Sequence, residues 1–344
     1  MMWKNLSQAE QIAATQAIAS KYNIDERSVE KDWWVTAVLK ALFSTKYSEH
    51  LLFKGGTSLS KGWSLIHRFS EDIDISINQN FFVEVLGYKF AQAENNSQLR
   101  KLRKASRDFV HGMLSKELEA SLARLGISDF TVRNHTKELT EDGWIDISHD
   151  SDPTIILVDY KSLFPMAVSD IEPHVKIEIS CLSMSEPFEV KRITSLINDM
   201  FPDVDEKLST DIKTATPSRT FIEKILLLNE EFQKESPRSR RMSRHLYDIE
   251  KIMDTEYGRA ALEDFELYKA IVEHRRKFYH LGYVDYDRDY PKLLSFVPQG
   301  KTLEAFKKDY VDNMADGYIY GLAIPFEELL ERLKELQDRF HRLG

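Results

Sequence analysis

Two aspartates one residue apart, Asp72 and Asp74, stand in the run Arg68-Phe69-Ser70-Glu71-Asp72-Ile73-Asp74-Ile75-Ser76. Side chains two apart in a strand share a face, so Asp72, Asp74 and Ser76 point one way and Ile73, Ile75 and Ile77 the other. Adjacent carboxylates repel and raise each other's pKa, a cost that a cation removes. Magnesium takes carboxylate oxygens and shares its shell with substrate phosphates, which makes this Asp-x-Asp a candidate metal clamp. Exposed strand faces also carry such pairs by chance. Upstream lies Phe53-Lys54-Gly55-Gly56-Thr57-Ser58-Leu59-Ser60-Lys61. Strand, Gly-Gly, then helix is the layout that turns backbone N–H groups toward a phosphate, so Gly55, Gly56, the hydroxyls of Thr57 and Ser58, and Lys61 are candidate nucleotide contacts. The run is neither a Walker P-loop nor a Rossmann fingerprint. Holding two metals on a triphosphate takes a third carboxylate. Val175-Lys176-Ile177-Glu178-Ile179-Ser180 offers Glu178. The same alternation fits an amphipathic strand with a Lys–Glu pair.

These residues need elements to hold them. Residues 7–20 and 25–43 read as helices, the second with a buried stripe of Val29, Trp33, Ala37 and Ala41 and with Asp25 as its cap. Leu51 to Lys54 reads as a short strand, Thr57 to His67 as a helix, Ile73 to Ile77 as a strand, and 98–125 as a long charged helix ending near Gly126. Strand-like runs follow at 128–135, 143–149, 154–160 and 174–182, with breaks at Asp152-Pro153 and Phe164-Pro165. Beyond them strands are expected to stop near residue 190, and helices to occupy 217–235, 240–254, 258–280 and 324–342. A domain boundary is therefore expected between 205 and 215.

The chain has 344 residues, enough for two domains, with 42% hydrophobic and 11% aromatic residues, which excludes disorder as the main state. The formal charge is −9, from 47 basic and 56 acidic side chains. Positive charge is nevertheless clustered at Arg100 to Arg107, Lys234 to Arg244 and His274 to Lys277, as an RNA contact requires, although solvated helix faces look the same. No apolar run of about 18 residues suggests a membrane span, and the start lacks the apolar core of a secretory signal. With one cysteine, Cys181, no internal disulfide or Cys-based zinc site is expected, and a cytoplasmic location follows. Cys181, Trp33 and Trp34 read as packing residues.

Together the Gly-Gly turn, the Asp-x-Asp strand and a lone later acid resemble the polymerase-β-like nucleotidyltransferase superfamily. More narrowly, the runs 53–61 and 68–74 resemble the AbiEii/AbiGii (MenT-like) toxins of abortive-infection toxin–antitoxin systems. The likeness continues in Val29-Glu30-Lys31-Asp32-Trp33-Trp34-Val35-Thr36, in Thr220-Phe221-Ile222-Glu223-Lys224-Ile225 and in Arg244-His245-Leu246-Tyr247-Asp248-Ile249, spanning about residues 25–250 in order. That family often has Asp where His245 stands. The resemblance implies that Ser70 and Asp72 belong to the catalytic motif, that Asp74 shares the metal, that Lys224 contacts nucleotide phosphates and that Asp248 completes the site.

The expectation is then a mixed α/β (α+β) chain: a nucleotidyltransferase-fold domain, 1–210, with a mixed sheet flanked by helices, and an all-helical domain, 211–344. Its reaction is the Mg²⁺-dependent transfer of NMP from an NTP with release of pyrophosphate. Asp72, Asp74 and Glu178 hold the metal, and Ser70, Lys224 and Asp248 complete the catalytic set. The acceptor is RNA, plausibly a tRNA 3′ end. Nucleotidylation of a protein or of the chain itself is an alternative, as is an inactive nucleotide- or antitoxin-binding module, or a metal-dependent nuclease. A separately encoded antitoxin is the implied partner.

Overall fold

The candidate acids sit on central strands because their flanking residues are apolar on both sides. In the computed structural model, which describes residues 2–88, 95–140, 143–164, 171–315, 318–320 and 323–343, the chain opens with two helices, α1 (Gln8–Tyr22) and α2 (Glu26–Phe43). Ser7 closes a reciprocal capping box with Glu10, and Asp25 accepts from the Arg27 N–H at the start of α2. Val29, Trp33, Ala37 and Ala41 are all fully buried, as the stripe requires. Trp34 stacks on Tyr160 at 4.8 Å between ring centroids, and Trp33 meets Trp3 at 5.1 Å.

Then come β1 (Leu51–Lys54), α3 (Gly55–Lys61), β2 (Ile73–Ile77), α4 (Asn80–Glu84), α5 (Asn96–Phe109), α6 (Ser115–Arg124), β3 (Phe130–Asn134), β4 (Lys137–Thr140), β5 (Gly143–Asp146), β6 (Thr154–Tyr160), β7 (His174–Ser180), β8 (Phe188–Ile193), α7 (Leu196–Met200) and β9 (Thr210–Ala215). A mixed sheet runs β3-β6-β7-β2-β1-β9-β8, and β4 and β5 form a separate hairpin. Strand β2 lies between β1, antiparallel, and β7, parallel. Ile73, Ile75 and Ile77 of β2 and Val175, Ile177 and Ile179 of β7 are fully buried, so the period-two pattern sets which face the acids take.

The remainder is helical: α8 (Pro217–Glu231), α9 (Ser243–Met253), α10 (Glu256–Glu263), α11 (Phe265–Phe278), α12 (Gly300–Asp309) and α13 (Phe326–His341). Two compact units result: Met1–Gly62 with Ser70–Thr214, and Trp63–Phe69 with Ala215–Gly344. Within the second unit Arg68 bridges Ile319, the Phe69 N–H donates to the Tyr318 carbonyl at 2.6 Å and the Tyr320 N–H to the His67 carbonyl at 2.7 Å. Backbone bonds of this kind are as strong as those of a sheet ladder and hold Trp63–Phe69 in place.

Several expectations change. The helix read from Thr57 to His67 ends at Lys61, because the following residues are drawn into the backbone pairing just described. Strands do not stop near 190: β8 and β9 extend the sheet, with Ile193, Ile212 and Thr214 buried. The helix read over 258–280 is two, divided at Asp264, which caps α11 by accepting from the Leu267 N–H. The sequence pattern missed α4, β4, α7 and α12. Pro165, read as a breaker, lies outside the described residues.

Candidate active site

In the first unit the register places the acids side by side. Asp74 pairs with Glu178 across β2 and β7, and with Lys54 across β1. Cross-strand partners in register have Cβ atoms roughly 5 Å apart and share a face. Asp72 immediately precedes β2, and Asp72, Asp74 and Glu178 are half-buried while the isoleucines between them are buried. Asp74 also reaches the glycine bend. Gly55 has φ +78°, and a Cβ built on it would stand 2.0 Å from Asp74 Oδ2. Only glycine lets the carboxylate lie there.

The rest of the bend is held by side chains that spend their polar atoms internally. Thr57 Oγ1 donates to the Asp72 carbonyl at 2.5 Å and lies 2.9 Å from Ser70 Oγ, tying α3 to the start of β2. Ser58 Oγ donates to the Gly55 carbonyl at 2.8 Å. Both Thr57 and Ser58 are buried. Their hydroxyls therefore serve the turn. Lys61 is ion-paired with Asp32 at 2.5 Å, and Lys31 with Glu71 at 2.5 Å. Helix α2 thus braces both ends of the segment from α3 to Asp72. Lys31 and Asp32 were not read as site residues, although two opposite charges inside a buried helical motif signal an internal ion pair.

Lys176, read as one half of a Lys–Glu pair on an amphipathic strand, does bond its ammonium to Glu178. Burial opposes its charge, but Glu178, Asp72 and Asp74 together hold its pKa above the usual lysine value. A cation already draws on all three acids, whose carboxylate oxygens are of the kind a hard divalent ion takes. Among the described residues no three acids are gathered closely enough to form a finished metal cage.

The second unit holds a different cluster. Asp248 on α9 is fully buried and takes two bonds from Arg68, Nε to Oδ1 at 2.6 Å and Nη2 to Oδ2 at 2.7 Å. Lys224 Nζ on α8 reaches Asp248 Oδ2 at 2.9 Å. Burial would raise the Asp248 carboxyl, but Arg68 and Lys224 outweigh it and hold it well below the usual carboxylate range. His245 Nδ1 lies 3.4 Å from Lys224 Nζ, and burial followed by Lys224 and Arg244 pushes its pKa well down, so it is neutral. Two cations thus share one carboxylate, and the cluster keeps an excess positive charge. Arg244 adds to it, with its Nε buried and lacking a hydrogen-bond partner among the described residues. Arg68 was quoted in the sequence motif without a role. The structure shows that it is the main partner of Asp248.

The basic runs are partly paired from within. Arg100 and Arg103 face Asp150, Lys234 and Arg238 pair with Glu231, and Arg275 is buried against Glu230. The run Lys234 to Arg244 is mostly loop between α8 and α9.

The model of the AbiEii nucleotidyl transferase toxins, of a type IV toxin–antitoxin system, matches residues 37–332. The chain belongs to this family. The AbiEii match extends well past residue 250, so the C-terminal helices are part of the family's extent, while the motif 29–36 lies before it. A comparison with curated proteins returned no match. Membership makes the chain a nucleotidyl transferase toxin by family, with an NTP as substrate and an antitoxin as counterpart. Among the described residues no helix is long and apolar enough to cross a membrane.

Proposed function

We propose that this AbiEii-family protein transfers NMP from an NTP to an RNA acceptor, plausibly a tRNA 3′ end, and releases pyrophosphate. The observation that carries this reading is the register of Asp74 with Glu178, with the Asp74 carboxylate lying against the Gly55 bend. Asp72 and Asp74 would hold Mg²⁺, which supplies a Lewis acid to the phosphate oxygens. The acceptor oxygen forms a bond to the α-phosphorus, the bond from that phosphorus to pyrophosphate breaks, and the hydroxyl proton passes to Glu178. Release of Glu178 from Lys176 frees the carboxylate for that proton and leaves the ammonium available to phosphate oxygens. Ser70, fixed by Thr57, orients the start of the acidic strand. In the second unit, the excess positive charge of Lys224, Arg68 and Arg244 around Asp248 supports the assignment of Lys224 to nucleotide phosphates.

The test incubates the protein with each α-labelled NTP, Mg²⁺ and total RNA, followed by mass spectrometry of RNA 3′ ends. Label is expected on lengthened RNA, and the Asp72→Ala protein is expected to lose about 10²–10⁴-fold in rate. Undiminished transfer by that variant sinks the assignment. Label in a protein band moves the acceptor to protein, and shortened RNA identifies a nuclease. In cells, expression is expected to slow growth, and expression of the Asp72→Ala or Lys224→Ala forms is not.

A further inference from the structure

In the second unit, α11 and the turn Tyr286–Asp289 border a cavity of about 410 Å³. That volume suits a small organic molecule. Three rings line it, Phe265, Tyr268 and Tyr290. Phe265 and Tyr268 lie nearly parallel, at 7° with centroids 6.4 Å apart. Phe265 and Tyr290 are 49% and 60% exposed, so both rings are open to a ligand.

Asp289 lines the same cavity and is fully buried. Its Oδ1 accepts from Asn229 Nδ2 at 2.8 Å, while its Oδ2 is buried with no hydrogen-bond partner. An acceptor left unmet in this way is destabilising, and a donor brought by a ligand relieves it. The charges near it are already matched: Arg276 pairs with Asp287 at 2.8 Å, Lys269 with Glu273 at 4.0 Å, and Arg275 with Glu230. Among the described residues, Asp289 is the lining charge without an ion pair. Burial and then Glu230 push its carboxyl up to about 7, against the Asn229 bond and the two arginines.

We propose that this cavity binds a small organic cation with N–H donors, a guanidinium or primary ammonium head, its hydrogens on Asp289 Oδ2 and its body against the aromatic rings. A cation over aromatic faces and a charge-assisted hydrogen bond to a desolvated carboxylate reinforce each other. A neutral ligand would leave the acid uncompensated, and an anion would meet its repulsion. The inference does not depend on nucleotidyl transfer. A free molecule and an arginine or lysine side chain of another protein present the same head, so the test separates them.

The experiment titrates the full chain with agmatine, N-acetyl-argininamide, n-butylammonium and the neutral butyramide, read by isothermal titration and saturation-transfer NMR. The three cations are expected to bind, butyramide is not, and Asp289→Asn, which keeps the side chain's size, is expected to weaken binding at least tenfold. Circular dichroism checks that the variant is folded, and Tyr290→Ala, at an exposed ring, gives a second weakened variant. Binding by the wild type is expected to strengthen from pH 6 to pH 8 as Asp289 ionises. The other titratable and charged groups around it are Glu230, Tyr268, Lys269, Glu273, Arg275, Arg276, Tyr286 and Asp287. Tighter binding of the blocked arginine assigns the head to a protein side chain, and equal or tighter binding of agmatine assigns it to a free cation. Binding of butyramide, unchanged binding in Asp289→Asn, or no cation binding up to about 10 mM overturns the proposal.

Discussion

Asp248 shows how much can depend on one side chain. Removing it would strand Arg68 and Lys224 in a buried setting with their counter-charge gone. Breaking a buried pair from one side costs about 3–5 kcal/mol, so Asp248→Ala is expected to lower the urea midpoint strongly. Its activity can then be judged only beside a milder change, such as Lys224→Met. The resemblance quoted Asp248 and Lys224 as functional residues, and nothing in local sequence indicated that they would touch each other or that Arg68 would close the trio. Those pairings join residues far apart in the chain, and spacing rules do not reach that far. Glu178 was legible as a lone acid on an alternating strand, whereas its bond to Lys176 two residues earlier was read as the bland alternative and is present.

At the scale of elements, Gly55 is the test position. Its positive φ and the approach of Asp74 both exclude a Cβ. Gly55→Ala is expected to cost about 1–3 kcal/mol in chemical denaturation and to displace the Asp74 carboxylate, so divalent-ion binding should weaken along with stability. A similar constraint operates in the second unit, where a Cβ on Gly258 would meet the Ile252 carbonyl at 2.3 Å. Gly258→Ala is expected to loosen the packing of α10 on α9 and lower the thermal midpoint. Strand β2 and helix α2 were legible because strict period-two and period-four patterns leave few alternatives. Helix α3 was extended too far, since the chain after Gly62 has helical composition and only its pairing with residues 318–320 pulls it straight. Strands β8 and β9 were missed because Phe188 and Val190 are exposed and the pattern there is mixed.

For the whole molecule, buried carboxyls and buried histidines pull the pH dependence of stability in opposite directions. Burial is the leading cause that raises Asp289 to about 7 and Asp205 to about 6, and it also raises Glu30 and Asp152. A carboxyl whose folded pKa lies above its unfolded value binds more protons in the native state, so stability falls as pH rises between the two values. That window runs from about pH 4 to pH 7 for this set. Asp248 acts in the opposite sense: its folded pKa is depressed, so its contribution is present above pH 4 and lost on acidification below it. His245, His111, His174 and His135 act against the raised carboxyls: burial is the leading cause that lowers each of them, so their contribution to stability rises with pH up to about 6.5. Asp289→Asn isolates one carboxyl, and the urea-midpoint difference between variant and wild type is expected to favour the variant more at pH 8 than at pH 5, by roughly 1 kcal/mol or more. A difference that is the same at pH 5 and pH 8 would contradict this account.

Local order along the chain already determined that Asp72 and Asp74 share a face, that a glycine bend precedes them, and that a later strand offers one more acid. Backbone geometry forces those relations on any strand with that alternation. Tertiary structure alone decided that Asp74 lies beside Glu178 and against Gly55, that Arg68 and Lys224 meet on Asp248, and that Asp289 is buried beside a cavity with no ion pair among the described residues. Each of these joins residues whose proximity depends on strand order and helix packing, which no short stretch of sequence specifies.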